Sequence, residues 1–381
     1  MVPARSQQQS GLPTDYYAPD YLIEVDNQAL NAETKGDVID LKVTLSKDAI
    51  GSFSLSINNW DDHRLAFKYS DGEAFALGNQ IHVKLGYAGK LVSVMRGLIT
   101  SLAPQFPESG PPTLAVGCQD TLVKLKGRKP KEGEQKKYVD MCDWEIAQAI
   151  AQRNGLSFSG TQEGPQHPLV MQKNQDDAQF LLERAKRIDF DCFIAVNPDS
   201  GNDELHFEKP TDGRDGRPIR VYTFEWGKSL ISFAPTLSLA HQVGKVTVRG
   251  WDPAAKEKIE YTATKDDLPE LPSASATSGP GTAEQKLDDK QDVVVDRPVA
   301  SLEEARHLAI SLLRERAQLF RTGSGQVIGL PDLRPGDNVE LKALGERFSG
   351  TYEVCKVEHA LGGSGYTTRF EVRHSFAGGS E

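Results

Sequence analysis

One pattern occurs twice in the chain: a glycine, two polar residues, and then strict alternation of aliphatic and polar side chains ending in lysine and an apolar residue. It reads GNQIHVKL at Gly78–Leu85 and GDNVELKA at Gly336–Ala343. A glycine-led turn followed by period-two alternation marks a strand with one buried face. Each copy is followed by a second alternating run with its own glycine, Gly97 and Gly350. We take Gly78, Gly97, Gly336 and Gly350 as structural turn glycines. The chain therefore reads as two related antiparallel β units, and both an ancient duplication and a shared hairpin grammar account for the likeness.

The alternation continues on either side of the first copy. Ile39, Leu41, Val43 and Leu45 alternate with polar residues, as do Phe53, Leu55 and Ile57, and further runs follow at 81–85, 92–102 and 114–118. Short strands separated by turns predict a closed or nearly closed barrel over 21–126, preceded by an N-terminal arm at 1–20. From 127 to 215 the pattern changes to a small α+β domain. A helix capped by Asp140 is expected through Arg153, with Gly155 as its stop, and a second from Asn174 to Ile188. A second barrel is expected over 216–381. It holds an S-x-x-E capping box at Ser301 and Glu304 that opens a long helix over 301–320, whose apolar stripe packs most simply on the barrel. Between Thr264 and Gln291 there is no aromatic residue, and the composition predicts a flexible loop. The fold class is mainly β with an α+β insertion.

A length of 381 residues suits two to three domains, and a hydrophobic content of 38% is that of a soluble protein. No apolar run reaches a membrane span and the first twenty residues contain no secretory core, so synthesis and assembly in the bacterial cytoplasm, without direct membrane insertion, are expected. Cys118, Cys142, Cys192 and Cys355 are widely spaced, which fits reduced thiols rather than a zinc site or disulfide framework. A net charge of −10 argues against nucleic-acid binding. The basic stretch Arg128–Lys137 is interrupted by Pro, Gly and Glu and reads as a solvated loop.

No catalytic constellation emerges. The nucleophile-elbow spacing is absent. Gly227-Lys228-Ser229 ends like a phosphate loop, but Tyr222 stands where the first glycine belongs, and a turn is the better reading. Asp61-Asp62-His63 reads as a tight turn rather than a metal site. The 54 acidic residues read as solvated surface charge. Trp60, Trp144, Trp226 and Trp251 read as core packing, and His359 and His374 as structural residues. The expectation is no catalytic residue, no cofactor and no metal. Polar strand faces of this kind suit an oligomer seam or a wet channel.

Several segments taken in order resemble a known family: LPDLRPGDNVEL at 330–341, RFSGTYEVCKV at 347–357, His359, GYTTRFEV at 365–372, VTVRGWDP at 246–253, NQDDAQFLLERAKRIDFDCFIAV at 174–196, MRGLITS at 95–101, and Cys118-Gln119-Asp120. Together they resemble phage late control gene D proteins and the hub part of VgrG proteins. The resemblance implies two tube-like β-barrel domains and a homotrimeric baseplate hub. Three copies present six similar faces, joining a sixfold inner tube to a threefold spike, with baseplate wedge proteins as further partners. Because the chain stops after the last predicted strand, the spike is expected as a separate chain. Rival readings are a tail-associated peptidoglycan hydrolase and a carbohydrate-binding tail adhesin. The aromatic content of 8%, mostly at core-like positions, speaks against the adhesin.

Overall fold

The computed structural model describes residues 8–9, 18–130, 137–196, 202–210, 219–252, 255–268, 276–287 and 290–377. The chain is mainly β, as its alternation predicts. The first unit contains β1 (Pro19–Val25), β2 (Val38–Ser46), β3 (Ser52–Asn58), β4 (Gln80–Tyr87), β5 (Lys90–Gln105) and β6 (Thr113–Asp120). In space they lie in the order β1-β4-β5-β6-β3-β2, and each neighbouring pair is antiparallel. Every second residue faces one core. Ile23, Leu41, Val43, Phe53, Leu55, Ile57, Ile81, Val83 and Leu85 are almost fully buried there, as a period of two requires.

The middle region carries β7 (Lys137–Cys142), helix α1 (Asp143–Arg153), β8 (Ser157–Gly160), β9 (Gln166–Met171), α2 (Asp177–Arg187), β10 (Asp191–Val196) and β11 (Asp203–Glu208). The helix starts here differ from those read in the sequence. Asp140 has φ +51° and lies in β7, so it is not the cap. The first helix opens at Cys142, whose N–H donates to Glu145 at 2.7 Å. The second opens at Asp176, whose carboxylate accepts from Gln179 N at 2.8 Å.

The last region interleaves two structures. The second unit comprises β12 (Val221–Glu225), β13 (Leu230–Leu237), β17 (Arg321–Ile328), β18 (Asn338–Lys342), β19 (Gly350–Gly362) and β20 (Gly365–His374). Between β13 and β17 lies an insertion of β14 (Lys245–Asp252), β15 (Glu257–Thr264), α3 (Gly279–Lys286), β16 (Gln291–Val294) and α4 (Leu302–Gln318). The capping box is present at the start of α4, where Ser301 Oγ accepts from Glu304 N at 3.1 Å. Its apolar stripe covers β14 and β15, not a barrel. Ala305, Leu308, Ala309 and Leu313 share a separate core with Val246, Val248 and Ala263.

The expected flexible loop at 264–291 is also corrected in its described part. Ser278 caps α3 by accepting from Gly281 N, Ala283 is fully buried, and Thr277–Ser278 pairs with Phe376–Ala377. Counting aromatics misses this segment because it packs by close backbone approach: a Cβ on Gly279 would lie 2.0 Å from the Gln242 side chain. Residues 269–275 and 288–289 of that call lie outside the described residues.

The six strands of the second unit run β12-β18-β19-β20-β17-β13. Strand for strand this is the order of the first unit. The matching pairs are antiparallel in both, except that β12 runs parallel to β18 whereas β1 is antiparallel to β4. The units are not two separate barrels. Strand β2 pairs with β19, merging them into one 14-stranded sheet, and among the described residues no ring of paired strands closes.

Candidate functional site

The repeated turn keeps its geometry in both copies. Gly78 has φ +90° and Gly336 φ +93°, a region that a side chain disfavours. Gly78 N donates to Ile99 O at 2.8 Å while Ile99 N donates to Asn79 O at 3.0 Å. Likewise Gly336 N donates to Val354 O at 2.8 Å and Val354 N to Asp337 O at 2.9 Å. The next residue in each long strand, Thr100 or Cys355, is the extra residue of a bulge. A second bulge falls at Ile39 in β2 and at Ile231 in the matching strand β13. Bulges re-aim a strand, so the units share two bends, while a third bulge, at Val94 of β5 against β4, belongs to the first unit alone.

Gly350 opens β19 with φ +129°. Gly97 is not a turn residue: it lies inside β5, where a Cβ would sit 2.0 Å from the carbonyl oxygen of Gln119. This separates two kinds of glycine. Gly97→Ala should cost roughly 3 kcal/mol, because backbone must move. Gly78→Ala, which meets open space, should cost roughly 1–2 kcal/mol of backbone strain. Urea midpoints of the two variants check the order, and equal losses would contradict it.

Where the units join, Val357 is opposite Leu45, His359 opposite Val43 and Leu361 opposite Leu41. Lys47 follows directly. Its N–H donates to Cys355 O at 3.1 Å, and its Nζ lies 2.6 Å from Glu353 and 3.1 Å from Asp191, with the side chain only 5% exposed. One ammonium thus ties the first unit to the second and to the middle region. Burial alone would lower the Lys47 pKa, but the charges of Glu353 and Asp191 hold it above its usual value. Burial likewise opposes ionisation of Glu353, yet Lys47 and Arg373 hold its carboxyl down to about 2. At the same seam, burial drives His359 down to about 3. Its Nδ1 lies 3.0 Å from Tyr366 Oη and 3.1 Å from Thr368 Oγ1.

A second ionic group fixes the insertion to the middle region. His167 Nε2 lies 3.0 Å from Asp143 and its Nδ1 lies 3.2 Å from Glu304, while Arg184 donates to Asp143 and Arg187 lies 3.5 Å from Glu304. Asp143 is 0% and His167 2% exposed. A carboxylate and an imidazole in contact are the parts of a general base, but here they are closed off from solvent and act as a strut. Sequence reading placed Glu304 only in a capping box, and Asp143 stands in the first turn of its helix. Nothing local to either residue signals that His167 joins them.

Two stretches of the 14-stranded sheet lack a strand partner on one side among the described residues. Beyond Ile99, β5 has β6 on one side and no strand on the other. Strand β13 pairs only with β17. Apolar side chains remain uncovered there: Phe106 is 62% and Leu237 37% exposed. Phe106 packs edge-on to Phe67 at 5.4 Å, and Phe67 to Trp60 at 5.4 Å. The expectation of core tryptophans needs correction, since Trp226 and Trp251 are 61% and 57% exposed. One lies in the turn after β12 and the other near the end of β14. The remaining sequence candidates are turns. Asp61 accepts from His63 N and Arg64 N, and Lys228 N and Ser229 N both donate to Glu225 O. Among the described residues no group of three or more His, Cys, Asp or Glu side chains is placed to hold a metal, and no helix is long and apolar enough to cross a membrane. Burial pushes the thiols of Cys118 and Cys192 up to about 12.

Comparison with protein families matches residues 18–362 to the Alg8 N-terminal domain. The chain belongs to the Alg8 N-terminal domain family. The matched range spans the first unit, the middle region, the insertion and the second unit through the end of β19, and it stops before β20. No curated protein matches. Among solved structures, a tail protein from Neisseria meningitidis MC58 is similar with a TM-score of 0.66 at 13% identity, covering 94% of this chain and 97% of that one. The 43 kDa tail protein of prophage MuSo2 from Shewanella oneidensis gives 0.65 at 13% identity, covering 93% and 98%. An E. coli type VI secretion component, described as similar to the T4 tail proteins gp27 and gp5, gives 0.57 at 12% identity, covering 94% and 77%. This Alg8 N-terminal domain therefore shares the fold of phage tail proteins over nearly its whole length.

Proposed function

We propose that the chain is the hub of a contractile injection machine baseplate: a homotrimer that adapts a sixfold inner tube to a threefold spike. The observation that carries this reading is the repeated unit. Two six-stranded units with one strand order and two bulges at matching positions let a single copy present two similar faces. Closed symmetry joins six subunits to three only if each of the three offers two equivalent surfaces. In this reading each unit is the wall of one tube-like barrel, the spike is a separate chain, and inner tube and baseplate wedge proteins dock around the ring. The role is mechanical, without catalysis, nucleic-acid binding or membrane insertion by this chain, and assembly takes place in the bacterial cytoplasm. The fold it shares with tail proteins supports the reading.

Light scattering on the purified chain tests it, alone and with the spike protein. A species of three times 41.8 kDa is expected, while a monomer under both conditions would remove the symmetry argument.

A further inference from the structure

The two open edges are related to each other by the same repeat that relates the two units. Aligning the units on their turns and bulges places Leu102, Pro104 and Phe106 where the second unit has Val357, His359 and Leu361. It places Phe233, Pro235 and Leu237 where the first unit has Leu41, Val43 and Leu45. Within one chain, Leu41, Val43 and Leu45 of the first unit already pair with Leu361, His359 and Val357 of the second. The converse contact, second unit to first, has no partner among the described residues of the chain.

We propose that strand β13 of one copy adds antiparallel to residues 100–106 of the next copy, in the register Leu102 to Leu237, Pro104 to Pro235 and Phe106 to Phe233. The partner is a second copy of this chain. Each copy then contributes one internal seam and one shared seam, and the sheet runs on from copy to copy.

Three observations support this occupant. Each residue of the internal seam has an apolar counterpart that is less covered at the open edges. Leu41, Val43, Val357 and His359 are at most 1% exposed, whereas their counterparts Phe233, Pro235, Leu102 and Pro104 are half-buried. Leu45 and Leu361 are half-buried, whereas their counterparts Leu237 and Phe106 are 37% and 62% exposed. Second, the free peptide groups point the right way. Pairing with β6 turns Ala103 and Gln105 inward and leaves Leu102 and Pro104 facing outward. The bond from Ser238 N to Phe320 O sets Thr236 inward and leaves Leu237 and Pro235 facing outward. Third, each edge carries one outward proline, which resists indiscriminate strand addition. In this register alone the two prolines meet at one position, so the two missing N–H donors fall within a single hydrogen-bonded pair and every other outward pair stays complete. The contact joins unlike edges and so passes head to tail around a ring.

The proposal rests on the oligomer proposed above, and cysteine cross-linking separates the two. Ala103 and Thr236 would face each other as a non-hydrogen-bonded pair with Cα atoms about 4.5 Å apart, within disulfide reach. Oxidation of the A103C/T236C chain should convert most of it to covalent oligomers. The single variants and the off-register pair S101C/T236C should stay at the background set by the four native cysteines. As a check without substitutions, the Leu102 and Leu237 amides of the wild-type oligomer should exchange at least about tenfold more slowly than those at a free edge. An oligomer by light scattering that neither cross-links nor protects these amides would overturn the edge pairing and leave the hub reading standing. A monomer that does neither would overturn both. Cross-linking by A103C alone would also overturn the pairing, since it requires like edges to meet.

Discussion

Replacing Lys47 with methionine is expected to destabilise the protein by about 3–5 kcal/mol, the range seen when one partner of a buried ion pair is removed. The side chain is 5% exposed and its ammonium lies between Glu353 at 2.6 Å and Asp191 at 3.1 Å, the latter only 9% exposed. Methionine fills the volume but leaves two carboxylates short of a counterion in a seam where water cannot replace it. Arg373 still reaches Glu353 at 3.0 Å, while Asp191 loses its bond to Lys47. Neutralising that carboxylate as well, in K47M/D191N, should recover part of the stability, because the desolvation cost of the buried charge is removed with it. Chemical unfolding gives the magnitude. Hydrogen exchange gives the location, with faster exchange in β2 and β19 than in β14 and β15. A loss below about 1 kcal/mol would place Lys47 with ordinary surface pairs and refute its role as the tie between three parts of the chain.

This tie marks the limit of what the sequence shows. Alternation is a local signal, so strands such as 39–45 and 53–57 were legible, as was the capping box at Ser301 and Glu304. The duplicated turn was legible because glycine at φ near +90° has few substitutes. Pairing between β2 and β19 was not, since it joins residues some three hundred positions apart and no periodicity encodes a partner at that range. Lys47 after a polar serine reads as a surface lysine, and only the folded chain brings two carboxylates to it. Gly97 sits in an alternating run beside a strand partner chosen by tertiary structure, so its close approach to Gln119 could not be separated from a turn. Composition misled at 278–287, where glycine, proline and alanine suggested disorder but allow tight packing instead.

The same seam should make the protein lose stability as pH falls below about 6.5. His359 and His374 are both held near 3 by burial. A histidine whose pKa is lowered on folding is neutral in the native state but takes up a proton when unfolded. Its contribution is complete above the unfolded value and shrinks as pH falls toward the folded one. Between pH 6.5 and 5 each such group should remove roughly 2 kcal/mol, and His374, which is only half-buried, somewhat less. Glu353 adds its own loss lower down, between its unfolded value of 4.5 and its folded value of about 2. His167 acts in the opposite sense: burial opposes its charge, but Asp143 and Glu304 raise its pKa, so its stabilisation is present at low pH and lost as pH rises through the raised value. Below the unfolded value of about 6.5 that contribution is complete and no longer changes, so it offsets none of the loss there. Unfolding midpoints measured from pH 6.5 to 4 should therefore decline throughout. His359→Gln retains a polar side chain facing Tyr366 and Thr368 but cannot titrate, so the slope between pH 6.5 and 5 should fall by about 1.4 kcal/mol per pH unit. An unchanged slope would mean that His359 is not held neutral. Because His359 sits opposite Val43 where the units join, protonation is also expected to loosen that joint first, with exchange at β2 and β19 rising before the cores of either unit open.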